Sequence, residues 1–202
     1  MPYVNTGMYC AVSDDLYEGG EGCGRCYRIW YDGCGGTDPA TAGTADIQVV
    51  NSGAGGVKHF DCFDTAHQAL TGTSTGIFPI TFMPIDCTYS TPTAVVLDGN
   101  NKWYVKMLFV GGKTGVMEAK IILDGIKIDM ERVGVTGTWS ASTAAWAQNN
   151  QNSNTATVDF VMVYSDGTQA EFYSCFNGQW SVPTGSQCEA GIARRKNLRG
   201  LV

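Results

Sequence analysis

Runs rich in β-branched and aromatic residues recur along the chain, separated by polar and glycine-rich breaks. Tyr27–Tyr31, Ala45–Val50, Ile77–Met83 and Ala94–Leu97 are bounded by Gly, Pro, Asp or Asn, and such runs predict strands. Further strands are predicted at Trp103–Val110, Val116–Leu123, Ile126–Met130, Thr157–Tyr164 and Ala170–Phe176. Asp124-Gly125 divides one pair of these runs and Ser165-Asp166-Gly167 divides another. Both are hairpin signals, because glycine supplies the positive φ that tight turns need. A helix is predicted over Asp64–Leu70, with Asp64 as its N-cap before Thr-Ala-His-Gln-Ala-Leu. Asn149–Asn154 reads as an exposed polar loop, and no internal repeat is visible.

The 202 residues suffice for one large β domain or two domains near half that length. Glycine is frequent (26 residues), aromatics reach 11% and charge is sparse at 16%, a mix that suits β structure with many turns. A net charge of −6 and a pI near 4.8 argue against nucleic acid, which needs a cationic surface. No apolar run approaches the length of a bilayer-spanning helix.

Eight cysteines lie at positions 10, 23, 26, 34, 62, 87, 175 and 188. An even count in such a chain predicts disulfides and an oxidising compartment, hence a secreted, extracellular protein. The chain itself shows no signal peptide: Met1-Pro2-Tyr3 runs straight into Asn5-Thr6-Gly7. Cys175 and Cys188 are the only cysteines of the second half, so they are the simplest pair there. Thr88–Pro92 has the composition of a linker. The expected organisation is a first domain over 1–87, a linker over 88–92, a second domain over 93–190 and a basic tail over 191–202. The tail carries Arg194, Arg195, Lys196 and Arg199 with no acid after Glu189; its default state is a solvated segment, and binding to an anionic polymer is the sharper alternative.

Cys23-Gly24-Arg25-Cys26 could be a redox dithiol, half a zinc site or two structural half-cystines. A strand-like Tyr-Arg-Ile-Trp-Tyr follows it rather than a helix, and no second pair stands at metal spacing, so structural cystines are expected. His59, Asp61, Asp64 and His67 crowd nine residues. Polar residues at a helix start look the same as a metal cluster, and one working acid at Asp61 is the better reading. No metal or cofactor is expected.

Cys-Gly-Arg-Cys-Tyr-Arg-Ile (23–29), a strand ending Val49-Val50-Asn51, His59-Phe60-Asp61 before a short helix, and Ile85-Asp86-Cys87 together resemble the first domain of expansins. Asn101-Lys102-Trp103-Tyr104-Val105, Met130-Glu131-Arg132 leading to Trp139, and Ser165-Asp166-Gly167-Thr168 before Phe172-Tyr173 resemble the expansin C-terminal module. The resemblance covers about residues 5–188 and implies a cell-wall location and an all-β protein. Its parts would be a six-stranded double-psi β-barrel, related to family-45 endoglucanases, and an immunoglobulin-like β-sandwich. The family's opening Ala-Thr-x-Tyr strand, its Cys-Gly-Tyr segment and its groove threonine are absent, so the barrel is expected to lack its first strand. By the family pattern Cys26 pairs with Cys87. Cys10, Cys34 and Cys62 fall outside that pattern, and with Cys23 their pairing stays open, Cys10–Cys23 with Cys34–Cys62 being one arrangement.

The resemblance makes Asp61 the groove acid and puts Asn51 where the family has its first aspartate. Inverting glycoside hydrolysis needs a general acid and a second carboxylate as base. The related hydrolases take that base from the N-terminal strand lacking here, and the neutral amide of Asn51 cannot replace it. The expected function is therefore non-hydrolytic binding and loosening of cell-wall polysaccharide, cellulose or another β-glucan, by a monomer with neither nucleic acid nor membrane as partner. Trp103 and Tyr104 are expected to form an aromatic platform for sugar rings, with Trp139 the further aromatic, matching the family's inward-facing tryptophan. Two alternatives stand beside this: a weak endoglucanase or lytic transglycosylase with Asp61 as general acid, and a carbohydrate-binding protein without loosening activity.

Overall fold

A computed structural model describes residues 2–55, 58–88, 91–150, 156–177, 180 and 183–191. Tyr89 and Ser90 of the expected linker, 151–154 of the expected polar loop and the basic tail from 192 lie outside the described residues. Thirteen strands are described: β1 (Tyr9–Val12), β2 (Cys26–Tyr31), β3 (Gly43–Ser52), β4 (Phe60–Cys62), β5 (Thr81–Ile85), β6 (Thr93–Val96), β7 (Tyr104–Val110), β8 (Val116–Leu123), β9 (Ile126–Arg132), β10 (Thr138–Ser142), β11 (Thr157–Tyr164), β12 (Gln169–Asn177) and β13 (Gln187–Glu189). Four short helices accompany them, α1 (Pro2–Thr6), α2 (Asp14–Tyr17), α3 (Asp64–Thr71) and α4 (Ala144–Asn149).

The first five strands form one sheet in the order β4-β1-β3-β2-β5. Its centre is β3, whose alternation buries Ala45, Ile47 and Val49 against Val12, Ile29 and Tyr31. The sheet curls: Phe60 on β4 lies 5.0 Å from Phe82 on β5, with Tyr27 edge-on to both rings. The two edge strands thus meet through aromatic side chains, and α3 packs against β3 and β2 to cover the core. This is a barrel-like sheet.

The other eight strands follow in the order β12-β11-β8-β9-β10-β7-β6-β13. Val105, Met107, Ile121, Leu123, Phe160, Met162 and Phe172 fill the space inside, and Phe109 meets both Phe160 and Phe172. Inward–outward alternation on β7 and β11, and on β8 from Ala119 onward, explains why these strands are plain in the sequence. The β8–β9 hairpin turns at Asp124-Gly125, both with positive φ, as a type I′ turn requires. β12 and β13, at opposite ends of the strand order, are joined by the disulfide Cys175–Cys188.

Several expectations change. α3 begins at Asp64, so Asp64 is its first helical residue; the N-cap is Phe63, without a side-chain cap bond. The run Ile77–Met83 is strand only from Thr81, because Ile77, Phe78 and Ile80 instead line a cleft, where Phe78 and Ile80 pack against the barrel core. Asn149 closes α4 rather than opening a loop. The disulfides described are Cys26–Cys87, Cys175–Cys188 and Cys10–Cys62. Cys23 and Cys34 are free thiols, which rules out the arrangement Cys10–Cys23 with Cys34–Cys62. The reason is register: Cys10 and Cys62 are directly opposed in the β1–β4 ladder.

The two sheets touch. The Tyr17 hydroxyl donates to the Val135 carbonyl at 2.6 Å, and the Cys87 amide donates to Lys113 O at 2.7 Å. A cavity of about 210 Å³ lies between them, lined by Cys23, Gln48, Val50, Leu108, Arg132 and Gly137 among others.

Candidate functional site

β1 runs parallel to β3 and antiparallel to β4. A bulge between Cys10 and Ala11 sets Ala11 opposite Asn51, and Ala11 also stands opposite Asp61. Residues in register share a face of a sheet. Cys10 and Val12 point into the core at 0% exposure, so Ala11, Asn51 and Asp61 form a row on the outer face. Asn51 and Asp61 are both exposed. Two strand spacings separate their backbones, roughly 10 Å, and between them the sheet shows only the Ala11 methyl. The Cys10–Cys62 disulfide occupies the next rung and ties the three-residue strand carrying Asp61 to β1.

Asp61 also lines a cleft of about 320 Å³ between β4, α3 and the segment 76–80 that leads into β5, with His59, Leu70, Ile77 and Phe78. His67 faces this cleft and is held by the loop after α3: its Nδ1 lies 2.7 Å from the Thr73 carbonyl and 3.2 Å from Thr71 Oγ1. Among the described residues no group of three or more His, Cys, Asp or Glu converges as a metal site. His59, Asp61, Asp64 and His67 therefore do not form one cluster of that kind.

Beside the row of Asn51 and Asp61 lies a feature that the sequence reading missed. Continuing the β1–β4 register one step sets Tyr9 opposite Phe63, and the Phe63 amide donates to the Tyr9 carbonyl at 3.0 Å. Their rings stack at 4.9 Å and 20°. The signal was present as mirrored patterns, Tyr-Cys-Ala on β1 and Asp-Cys-Phe at β4, with cysteine inward and its neighbours outward. It escaped notice because both strands are so short.

On the second sheet Trp103 and Tyr104 are exposed, at 41% and 38%. They stand at the close of a tight turn in which Asn101 and Tyr104 exchange backbone bonds and the Trp103 amide donates to Asn101 Oδ1. The turn frees Trp103 from strand alternation, which lets neighbouring rings both reach solvent. Lys102 Nζ lies 5.2 Å from the Trp103 ring centre. Tyr104, Lys106 and Leu108 share the outer face of β7, and Leu108 borders the inter-sheet cavity.

Trp139 faces inward, as its match to the family's inward-facing tryptophan implies. It is 4% exposed, sits inside the second core and lies under the Arg132 guanidinium at 4.4 Å. Its role is packing, because alternation on β10 turns it inward. At the same seam burial pushes the Tyr17 hydroxyl up to about 12, with the Cys23 thiol adding to the rise. Burial also raises the Cys23 thiol, against the lowering effects of Tyr17 and Arg132.

Comparison with known proteins follows these features. No family model matches the chain. Expansin-A26 of Oryza sativa subsp. japonica is 30% identical over 121 residues, 59% of this chain and 40% of that protein. Putative expansin-A30 of the same plant is 28% identical over 159 residues, 68% of this chain and 57% of that protein. The chain thus spans about half the length of the curated relatives it matches. The crystal structure of an apo expansin of Clavibacter michiganensis superposes with a TM-score of 0.69 at 19% identity, over 92% of this chain and 81% of that one. An aspartate-to-asparagine variant of the Clavibacter expansin, in complex with cellohexaose, matches equally. In sequence and in fold, the chain is expansin-like.

Proposed function

We propose that the protein binds cell-wall polysaccharide, cellulose or another β-glucan, and loosens it without hydrolysis. The observation that carries this reading is the row Asn51–Ala11–Asp61: a carboxylate and an amide flanking a flat, exposed strip of sheet. Both side chains can hydrogen-bond sugar hydroxyls. An inverting hydrolase needs a second carboxylate as base, and across this row Asp61 faces an amide with no proton-accepting oxygen of that kind. Trp103 and Tyr104 supply apolar ring faces for the CH groups of pyranose rings. Val50, next to Asn51, and Leu108, on the face of Tyr104, border one cavity. That supports a polymer path crossing the seam between the sheets. A neighbour of this fold is solved in complex with cellohexaose, which supports the same class of ligand.

In this reading the first sheet is a double-psi barrel short of one strand and the second an immunoglobulin-like sandwich, divided over 1–87 and 93–190 with the linker at 88–92. Eight cysteines and the described disulfides suit secretion. The test is co-sedimentation with insoluble cellulose, chitin and peptidoglycan, with reducing-sugar release assayed in the same tubes and paper-strip strength measured alongside. Retention and weakening without release, with retention lost in Trp103→Ala and weakening lost in Asp61→Asn, is the expected result. Release dependent on Asp61 would make the protein a glycosidase. Retention without weakening would leave a carbohydrate-binding protein alone.

A further inference from the structure

We propose that the stacked pair Tyr9–Phe63 is a second sugar-stacking platform, on the barrel itself, which fixes a glucan ring next to the Asp61 carboxylate. The inference rests on the polysaccharide-binding reading and adds a subsite to it.

Placement comes first. Along a strand, side chains on one face recur every two residues, roughly 7 Å apart. Phe63 follows Asp61, and Tyr9 precedes Ala11, by that step. The pair therefore continues the outer face of the Asn51–Asp61 row, within one sugar ring of the carboxylate. Phe63 is 48% exposed, so a large part of its ring remains in solvent after stacking on Tyr9. The Tyr9 hydroxyl gives the platform a polar tip that can donate to a sugar hydroxyl.

Local structure sacrifices something to keep this ring where it is. Phe63 is the N-cap of α3 and makes no side-chain cap bond. That position favours Ser, Thr, Asp or Asn, whose side chains would cap the helix, so keeping Phe there forgoes that stabilisation. Fastening β4 to β1 does not explain the ring, since the Cys10–Cys62 disulfide does so one rung away. Gly7, at φ +74°, seats the ring: a Cβ there would come within 3.1 Å of Phe63 Cδ1. An aromatic pair with one exposed ring, Phe63, on a half-buried one, Tyr9, beside a carboxylate–amide row is the surface that a β-glucan chain fits. Its rings offer CH faces to the aromatics, and its equatorial hydroxyls lie in plane for Asp61 and Asn51.

The test uses the whole chain and cellohexaose as probe, titrated calorimetrically, with sedimentation on cellulose in parallel. Phe63→Ala and Phe63→Leu should each weaken binding about three- to tenfold, the range for one lost aromatic contact. Phe63→Tyr should restore it. Leucine keeps apolar volume without a flat face, so it separates stacking from packing, and melting curves identify any variant that is merely unfolded. Trp103→Ala runs as the reference. Unchanged affinity in Phe63→Leu and Phe63→Ala beside a loss in Trp103→Ala would overturn the platform alone. Failure of the native protein to bind either cellohexaose or cellulose would overturn both readings.

Discussion

Replacing Cys10 and Cys62 together by alanine removes the bond that holds the Asp61 strand. The two residues are 52 apart in sequence. Opening a loop of that size restores chain entropy to the unfolded state worth about 4 kcal/mol at room temperature. Two buried sulfur atoms are lost as well, Cys10 being fully buried among apolar neighbours, which adds to the loss. For a protein of this size the melting temperature should fall on the order of 10–20 °C. β4 has three residues and, among the described residues, β1 as its only laddered neighbour, so the local effect should exceed the global one. Amides of β1 and β4 should exchange with deuterium before those of β3, and polysaccharide retention should drop with them. Tryptic digestion without reduction checks the premise. Cleavage after Arg25, Arg28 and Lys58 yields pieces 1–25, 26–28, 29–58 and 59–102. The structure requires 1–25 and 26–28 to be linked to 59–102, leaving 29–58 free with an alkylatable Cys34. A 29–58 piece bound to 59–102, or a double variant melting within about 3 °C of the parent, would refute the reasoning.

Native protein treated with a thiol reagent at neutral pH should lose the exposed Cys34 thiol quickly and Cys23 slowly, because burial raises the latter; equal rates would contradict the packed seam. Tyr17, held up to about 12 when folded, ionises near 10 once unfolded. Its contribution is therefore complete below pH 10 and declines as pH rises towards 12, so alkaline melting curves should fall across that window and flatten in Tyr17→Phe. Asp166 is held low by hydrogen bonds from Thr168 Oγ1 and N. What it contributes is present above the ordinary carboxylate range and lost below it, and Thr168→Val should raise its titration midpoint by NMR. Gly112→Ala should destabilise by about 3 kcal/mol or more, because a Cβ there would collide with the Tyr164 ring at a positive-φ position; a melting temperature unchanged from the parent would refute that packing.

Long strands rich in β-branched and apolar residues were legible in the sequence: Val116–Leu123 and Thr157–Tyr164 match at both ends, and the Asp124-Gly125 turn marked its hairpin. Three-residue strands such as Phe60–Cys62 and Gln187–Glu189 carry no period to read. β10 was missed because Thr-Trp-Ser-Ala-Ser presents small polar residues outward and only two apolar ones inward. Pro79 and the pull of the cleft kept Ile77–Ile80 out of the ladder although its composition favours strand. At the site, Asp61 and Asn51 were found by motif, but their shared row depends on a bulge at Cys10 that no pattern announces. Trp103 and Tyr104 were correctly expected at a strand start. Trp139, matched to the family's inward-facing tryptophan, is interior. Cysteine pairing was the least legible, since it follows from which strands become neighbours rather than from spacing.

The disulfide between β12 and β13 ties the two ends of the second strand order. An open eight-stranded sheet would present two rows of unpaired amides and carbonyls, which invite pairing with other chains. Drawn together at Cys175–Cys188, and with Gly191 N bonded to Glu171 O, those edges shield one another. Reduction would thus do more than loosen a loop: it would expose sticky borders, and solubility would track the redox state of the surroundings. Protein made in a reducing cytosol should aggregate through this half first, while the same chain, once oxidised, stays dispersed.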